Sequence, residues 1–457
     1  MIEKVLIANR GEIALRIHRA CNDLEIPSVV VYSEADRESL PVRLAKEKVC
    51  IGPGPSPKSY LSVPNIISAA LITGCDAIHP GYGFLSEDRY FAEICGEYNL
   101  TFVGPSAEAI ARVANKAEAR QVMAAAGLPI LRGTDGPVNS LEEAQAAARD
   151  IGYPVILKAA AGGGGRGMVQ ASSEQELTQG YNTARLEARA SFDDDEIYIE
   201  RYLERCRHIE VQVLGDMYGN IVHLAERECS IQRRHQKLIE EAPAQSVDDD
   251  LRSRLGDAAR LGAAALGYRN AGTLEFLVDE TGNFYFMEMN TRIQVEHGIT
   301  ELVTGIDIVK EQIRIAGGEM LPFTQREISV SGHAIECRVT AESGPDFRPV
   351  TGTVTDLLLP GGPGVRVDSH LYSGYTIPAH YDSLLGKIMV HGPDRREAIA
   401  RMQRALNETV IEGVPTTLPF LRAVIEDPVF RAGDVYTDYV ATRQHEESST
   451  TRTPLSV

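Results

Sequence analysis

A few short segments of this 457-residue chain concentrate side chains able to do chemistry. Glu288 and Asn290 lie two apart at the end of Phe284-Tyr285-Phe286-Met287-Glu288-Met289. That run reads as a strand, in which alternate side chains share a face. Glu275 sits in a second strand-like run, Thr273 to Leu277, and Asp279-Glu280-Thr281-Gly282-Asn283 between them reads as a hairpin turn, so Glu275 can face the other two. Two carboxylates and an amide oxygen suit a hard divalent cation such as Mg²⁺, which also accepts nucleotide phosphate oxygens; ordinary surface acids on strands fit the same pattern. The segment Asn290 to His297 follows directly. Its Arg292 offers a planar fork to a carboxylate or bicarbonate, and Glu296 is a candidate general base; the alternative is a salt-bridged helix start. Ser230 to Lys237 carries Arg233, Arg234, His235 and Lys237 ahead of Glu240-Glu241. It is either a neutralised surface patch or an anion pocket.

A glycine run, Gly162-Gly163-Gly164-Gly165-Arg166-Gly167, follows a strand ending in Lys158. Met168-Val169-Gln170 continues as a second strand, which predicts a glycine hairpin. A dinucleotide loop would open a helix there, and the Gly-Lys-Ser/Thr of a Walker loop is absent. Such a hairpin can fold over phosphates and offer backbone N–H groups, or it is simply a tight turn. The chain has nine lysines, and Lys116, Lys158 and Lys237 fall in or beside these segments.

The elements that must position these groups fall into three units. Over 1–113, short apolar runs (Val5 to Ala8, Val29 to Tyr32, Asp76 to His79, Thr101 to Val103) alternate with helical patterns such as the one opening at Gly11. That alternation predicts a parallel, doubly wound sheet. Over 114–330 a helix, Lys116 to Ala126, is stopped by Gly127 and Pro129, after which strand patterns dominate and predict a mixed α+β unit. From 331 to 444 short strands and glycine turns give way to helices, and 445–457 is a polar tail expected to be mobile.

Composition narrows the function classes. With 46 Lys+Arg against 64 Asp+Glu the net charge is −18, unfavourable for nonspecific binding to nucleic acid. No apolar run is long enough to span a membrane, and the N-terminus lacks the zones of a signal peptide. Cysteines 21, 50, 75, 95, 206, 229 and 337 are scattered and odd in number, which predicts reduced, mostly buried thiols in a cytoplasmic protein.

Together these residues resemble the biotin carboxylases of the ATP-grasp superfamily. The resemblance runs over about residues 1–440 and is carried by Ile7 to Ala14, His79 to Glu87, Ser230 to Pro243, Glu288 to His297 and Gly332 to Arg338. It implies an α/β and α+β fold: a pre-ATP-grasp parallel sheet, an ATP-grasp domain with a glycine-rich lid at about 131–202, and a strand-rich C-terminal domain. It implies that Lys116 and Lys158 bind ATP phosphates under a lid containing Gly164 and Gly165. Glu200, Leu203, His208 and His235 would lie on or near the nucleotide, and Glu275, Glu288 and Asn290 would hold Mg²⁺ or Mn²⁺. Lys237, Arg292, Gln294 and Val295 would bind bicarbonate, Glu296 would deprotonate it, and Arg338 would stabilise the biotin enolate.

The same resemblance implies an ATP-dependent ligase whose partners are a biotin carboxyl carrier protein and a carboxyltransferase, because none of the nine lysines lies between methionines as a biotinylated lysine does. It implies a homodimer, and acetyl-CoA as the default final acceptor, with propionyl-CoA or pyruvate as alternatives. Another ATP-grasp ligase, or a regulatory paralogue that binds nucleotide without turnover, are the competing readings. Gly298 stands where the family usually has proline and predicts a looser loop after Glu296; Asn115 replaces a common aspartate before Lys116.

Overall fold

The computed structural model describes residues 2–159, 168–192, 194–234, 236–344 and 346–443. The glycine run with Gly164 and Gly165, His235 and the tail lie outside the described residues.

The N-terminal region is the parallel sheet its alternating pattern predicts. Its strands lie in the order Glu47–Cys50, Ser28–Tyr32, Val5–Ile7, Ala77–His79, Thr101–Phe102, all paired in parallel. The chain order reverses on either side of Val5–Ile7, so a crevice opens beyond the carboxyl ends of that strand and its neighbour, where open α/β sheets bind ligands. Asn9 and Tyr82 sit there. Asn9 Nδ2 donates to the carbonyls of Pro80 (2.6 Å) and Tyr82 (2.8 Å), joining the two loops. Gly81 has φ +64°, and a Cβ on it would lie 2.9 Å from Asn9 Nδ2, so this junction requires glycine.

In the middle region the helix Lys116–Ala125 is capped by Asn115, whose side chain accepts from the Glu118 N–H at 3.1 Å. The replaced aspartate therefore costs the helix no cap. A small antiparallel sheet follows, Met168–Ala171, Val155–Ala159 and Ile197–Arg201 in that order, so the strands flanking the glycine run do pair as a hairpin. Helices Leu141–Ile151 and Glu174–Phe192 cover it. Sequence patterning overlooked both, because their apolar stripes are largely alanine (Ala144, Ala148, Ala184, Ala188), which hydropathy registers weakly.

Among the described residues the largest element is an antiparallel sheet of eight strands. Its order is Phe284–Asn290, Asn270–Asp279, Cys206–Gly215, Ile221–Arg233, Gln236–Ala242, His333–Thr340, Leu384–Gly392, Val365–Ser369. The ladder is continuous across residue 330: Gln236–Ala242 pairs with His333–Thr340, Ile239 opposite Cys337 and Glu240 opposite Glu336. Helix Asp249–Ala265 packs one part of the sheet through Leu251, Leu255 and Ala259, against Val211, Leu274 and Phe276. Arg395–Glu408 packs the other through Ile399, Met402 and Leu406. All seven cysteines are free, and all but Cys50 are buried. Among the described residues no helix is long and apolar enough to cross a membrane.

Candidate active site

The face of the long sheet turned away from helices Asp249–Ala265 and Arg395–Glu408, partly covered by His297–Thr304, carries the chemistry. Along Cys206–Gly215 the apolar Ile209, Val211 and Val213 join the core under Asp249–Ala265, and His208, Glu210 and Gln212 alternate with them on the other face. Strand register then sets a row across four strands: Glu288 opposite Glu275, Glu275 opposite Glu210, Glu210 opposite Arg227. Carboxylates directly opposite one another repel, so the row depends on the cations around it. The fully buried Arg227 donates through Nε to Glu210 (2.5 Å) and through Nη1 to Gln212 and Thr300 (2.9 Å each). Lys237 Nζ reaches three carboxylates, Glu210 at 2.5 Å, Glu296 at 2.7 Å and Glu275 at 2.9 Å. His208 Nε2 lies 2.9 Å from Glu275. Burial alone would raise the Glu275 carboxyl, but Lys237 and His208 outweigh it and hold the group far below the usual range. Glu288, at the end of the row, goes the other way: burial and then Glu275 push its carboxyl up, against the pull of Lys116 and Lys158.

That imbalance bears on a metal. Glu275 and Glu288 face each other, and Asn290 sits opposite Thr273 on the same face, its Nδ2 donating to Glu275 at 2.8 Å. These hard oxygen donors fit a divalent cation, whose charge would offset the burial and the Glu275 repulsion that together raise Glu288. Another cluster, His208, Glu210 and Glu275, has ligand atoms within 4.8 Å of one another. It suits a cation less, because Glu210 already serves Arg227 and Lys237.

Glu296 is the last residue before helix His297–Thr304 and has no exposed surface. Its Oε1 accepts from Lys237, and its Oε2 accepts from Arg338 Nη2 at 2.9 Å. Burial raises this carboxyl too, yet Lys237, Arg338 and Arg227 together hold it well below the usual range. Arg338 also donates through Nε to Glu240 at 2.6 Å. Burial pushes the Glu240 carboxyl up to about 7 in spite of that partner. Arg292 is splayed over several acceptors: Glu87 (2.8 Å), Asn290 Oδ1 (3.1 Å) and Gln294 Oε1 (3.3 Å). The Gln294 amide nitrogen is buried with no partner, a donor free for a ligand.

The sequence-selected groups converge on one cleft of about 1070 Å³, lined by all three regions. Lys116, Lys158, Leu203, His208, Lys237, Glu275, Glu288, Asn290, Arg292, Gln294, Val295 and Arg338 all border it. Glu200 lies behind Lys158: its carboxylate accepts from Lys158 Nζ at 2.5 Å and from Arg120, so it aims the lysine. One end of the cleft is apolar, with Ile156, Met168, Tyr198, Leu277 and Met287 beside Leu203. Such a slot suits a flat heteroaromatic ring, with the lysines and the acidic row next to it suited to a polyphosphate and its cation.

Gly298 corrects the expectation of a loosened loop. It lies buried in the first turn of His297–Thr304, and a Cβ on it would come 2.3 Å from Met389 Sδ. The space a side chain would take is filled by the fully buried Met389. Residues that sequence reasoning missed are Glu87, Arg120, Glu210, Arg227 and Lys387. Glu210 was accessible from the His208-Glu210-Gln212 alternation within an otherwise apolar strand, and Arg227 meets it from the next strand, 17 positions on. Arg120, Lys387 and Glu87 have no local signal, since their partners lie 80, 92 and 205 positions away.

The small three-stranded sheet, the long sheet and the carboxylate row are those of an ATP-grasp protein, and the model of the carbamoyl-phosphate synthase L chain ATP-binding domain matches residues 115–324. The biotin carboxylase N-terminal and C-terminal domain models match 1–110 and 336–442. The Nostoc biotin carboxylase is 54% identical over 96% of this chain and 98% of its own, and Bacillus subtilis biotin carboxylase 1 is 53% identical over 97% and 99%. A Campylobacter jejuni biotin carboxylase structure superposes with a TM-score of 0.95 at 49% identity, covering 97% of this chain and 99% of that one. The biotin carboxylase domain of Hydrogenobacter thermophilus 2-oxoglutarate carboxylase, a dimer in complex with MgADP, ADP and bicarbonate, gives 0.95 at 47%, covering 97% and 98%. This chain belongs to the biotin carboxylase family, whose members are ATP-dependent ligases.

Proposed function

We propose that the protein uses ATP and bicarbonate to carboxylate biotin on a separate carrier protein, through carboxyphosphate, as the first half-reaction of acetyl-CoA carboxylase. The observation that carries the reading is Glu296 clamped between Lys237 and Arg338, two cations that line the shared cleft, with the carboxylate itself buried behind them. Bicarbonate is a poor nucleophile and must be activated. Arg292, the free Gln294 amide and the Val295 backbone receive it, and its proton goes to Glu296 as its oxygen attacks the γ-phosphorus of ATP and displaces ADP. An anion entering beside Lys237 and Arg338 competes for their hydrogen bonds, which frees Glu296 to act as a base.

Lys116 and Lys158 neutralise charge on the transferring phosphoryl group. Glu275, Glu288 and Asn290 would hold a divalent cation, which would supply further charge neutralisation to the phosphates. Carboxyphosphate then breaks its C–O bond to give phosphate and CO₂, and the phosphate takes the proton of the biotin ureido nitrogen. Charge gathers on the ureido oxygen, where Arg338 stabilises it, while the nitrogen forms its bond to CO₂. A preorganised donor of this kind contributes about 3–4 kcal/mol. The nucleotide ring occupies the apolar slot beside Leu203, with His208 near the nucleotide.

The acceptor is proposed by association with separate-subunit systems, since the carboxyltransferase partner selects it; propionyl-CoA and pyruvate are the alternatives. Gly298 gives no support to an inactive paralogue, because its space is packed by Met389. The proposed assembly is a cytoplasmic homodimer working with a biotin carrier protein and a carboxyltransferase. The test is bicarbonate-dependent phosphate release from MgATP with and without free biotin. Stimulation by biotin supports the reading, and nucleotide binding without turnover sinks it.

A further inference from the structure

We propose that Lys387 is a positioning residue for the bicarbonate segment, tying all three regions of the chain to the backbone that carries Glu296. The inference rests on the reading of Arg292, Gln294, Val295 and Glu296 given above.

Lys387 lies on Leu384–Gly392, directly across from Arg338, and has no exposed surface. Burying an ammonium is expensive, and a lysine kept for stability alone satisfies its charge on a carboxylate at short range. Lys387 does otherwise. Its shortest bond, 2.6 Å, goes to the neutral carbonyl of Val295, and its closest carboxylate, Glu12, is at 3.4 Å. Glu12 belongs to the N-terminal helix Gly11–Asp23 and accepts from the Tyr82 hydroxyl at the crevice of the parallel sheet. Two further acids act on the lysine charge. Glu336 has both carboxylate oxygens buried without partners, and Asp368 is held by Arg366. The carbonyl has thus taken the best donor in a pocket with acids to spare.

The geometry explains the choice. The Val295 carbonyl shares its peptide plane with the Glu296 N–H, so holding that oxygen fixes the rotation of the plane. It thereby fixes the Cα of Glu296 and the start of His297–Thr304. Glu296 must meet a bicarbonate held by Arg292 and Gln294 to within a few tenths of an ångström, and about 1 Å of misplacement costs roughly 10²-fold in rate. Lys387 reaches the segment from the C-terminal region, and its second partner comes from the N-terminal region. Relative movement of either region would be felt at the base.

The test compares wild type, Lys387→Met and the double variant Glu12→Gln/Lys387→Met, all in the full chain. Bicarbonate and ATP saturation of phosphate release are measured alongside thermal unfolding. The double variant removes both members of the buried pair and so guards against misfolding from an uncompensated charge. Both variants are expected to fold and to lose about 10- to 100-fold in kcat/KM for bicarbonate, with the KM for ATP within about twofold of wild type. A normal bicarbonate response in either folded variant, beside an active wild type, overturns the inference alone. Failure of both variants to fold, or parallel losses toward ATP and bicarbonate, makes Lys387 a fold residue and overturns it as well. A wild type without bicarbonate-dependent turnover overturns the underlying reading and this inference with it.

Discussion

Replacing Glu296 by glutamine separates the proposed base from its surroundings with the least structural damage. The side chain is fully buried, and glutamine keeps its length and one acceptor oxygen for Lys237 or Arg338. What disappears is the ability to take a proton. A positioned general base contributes about 10²–10⁴ in rate, which corresponds to about 2.7–5.4 kcal/mol of barrier at 1.36 kcal/mol per tenfold. Among the neighbouring acids Glu210 is bound to Arg227 and Lys237, whereas Glu240 is bound to Arg338 through one oxygen and keeps the other without a partner. The double variant Glu240→Gln/Glu296→Gln therefore shows whether Glu240 substitutes as a base. The assay is phosphate release from MgATP at saturating bicarbonate, paired with calorimetric titration of the nucleotide. The single variant should bind nucleotide as wild type does and turn over about 10²- to 10⁴-fold more slowly. Turnover within about threefold of wild type would refute Glu296 as the base, and loss of nucleotide binding would show that its role is to organise Lys237 and Glu275.

Other perturbations probe the rest of the cleft. Arg338→Ala should abolish biotin carboxylation while ATP still binds, because Glu240, already raised by burial, can take up a proton when its partner goes; carboxylation at the wild-type rate would remove Arg338 from the enolate role. Glu288→Gln should raise the Mg²⁺ concentration needed for half-maximal phosphate release by about tenfold or more, since it removes one of two carboxylates facing the proposed cation; an unchanged Mg²⁺ dependence would move the cation elsewhere. Glu240→Gln should change the pH dependence of stability. With the folded pKa raised to about 7, the wild type loses stability as pH rises from the unfolded value of about 4.3, then levels off, so the variant's relative melting temperature should climb across that window and stay flat above it. Gly298→Ala should destabilise by about 1–3 kcal/mol through overpacking against Met389, and adding Met389→Ala should recover part of it; a neutral single variant would show that Met389 has room to move.

Local pattern made a good part of this site readable. Glu275, Glu288 and Asn290 fall on one face because strands alternate with period two and a hairpin turn sets the register; both rules act within about twenty residues of chain. The parallel N-terminal sheet was equally legible, since its strands are continuous apolar runs buried on both faces. Convergence of Lys116, Lys158, Lys237 and Arg338 on those carboxylates came from the family resemblance, which supplies what spacing does not.

Only the tertiary structure decided the charges that make the site work. Glu210 and Arg227 matter because two strands align them in a row with Glu275 and Glu288, and register between strands is set by the packing of the whole sheet. Lys387 reads in sequence as one more lysine on a strand, and its bond to a carbonyl 92 residues away exists because three regions close around it. Gly298 shows the same limit in reverse. Its residue type predicts looseness, while its environment, filled by a sulfur from a strand distant in sequence, makes it packed. Sequence carries the short-range rules of alternation and turns; burial and charge are sums over neighbours that only the folded chain brings together.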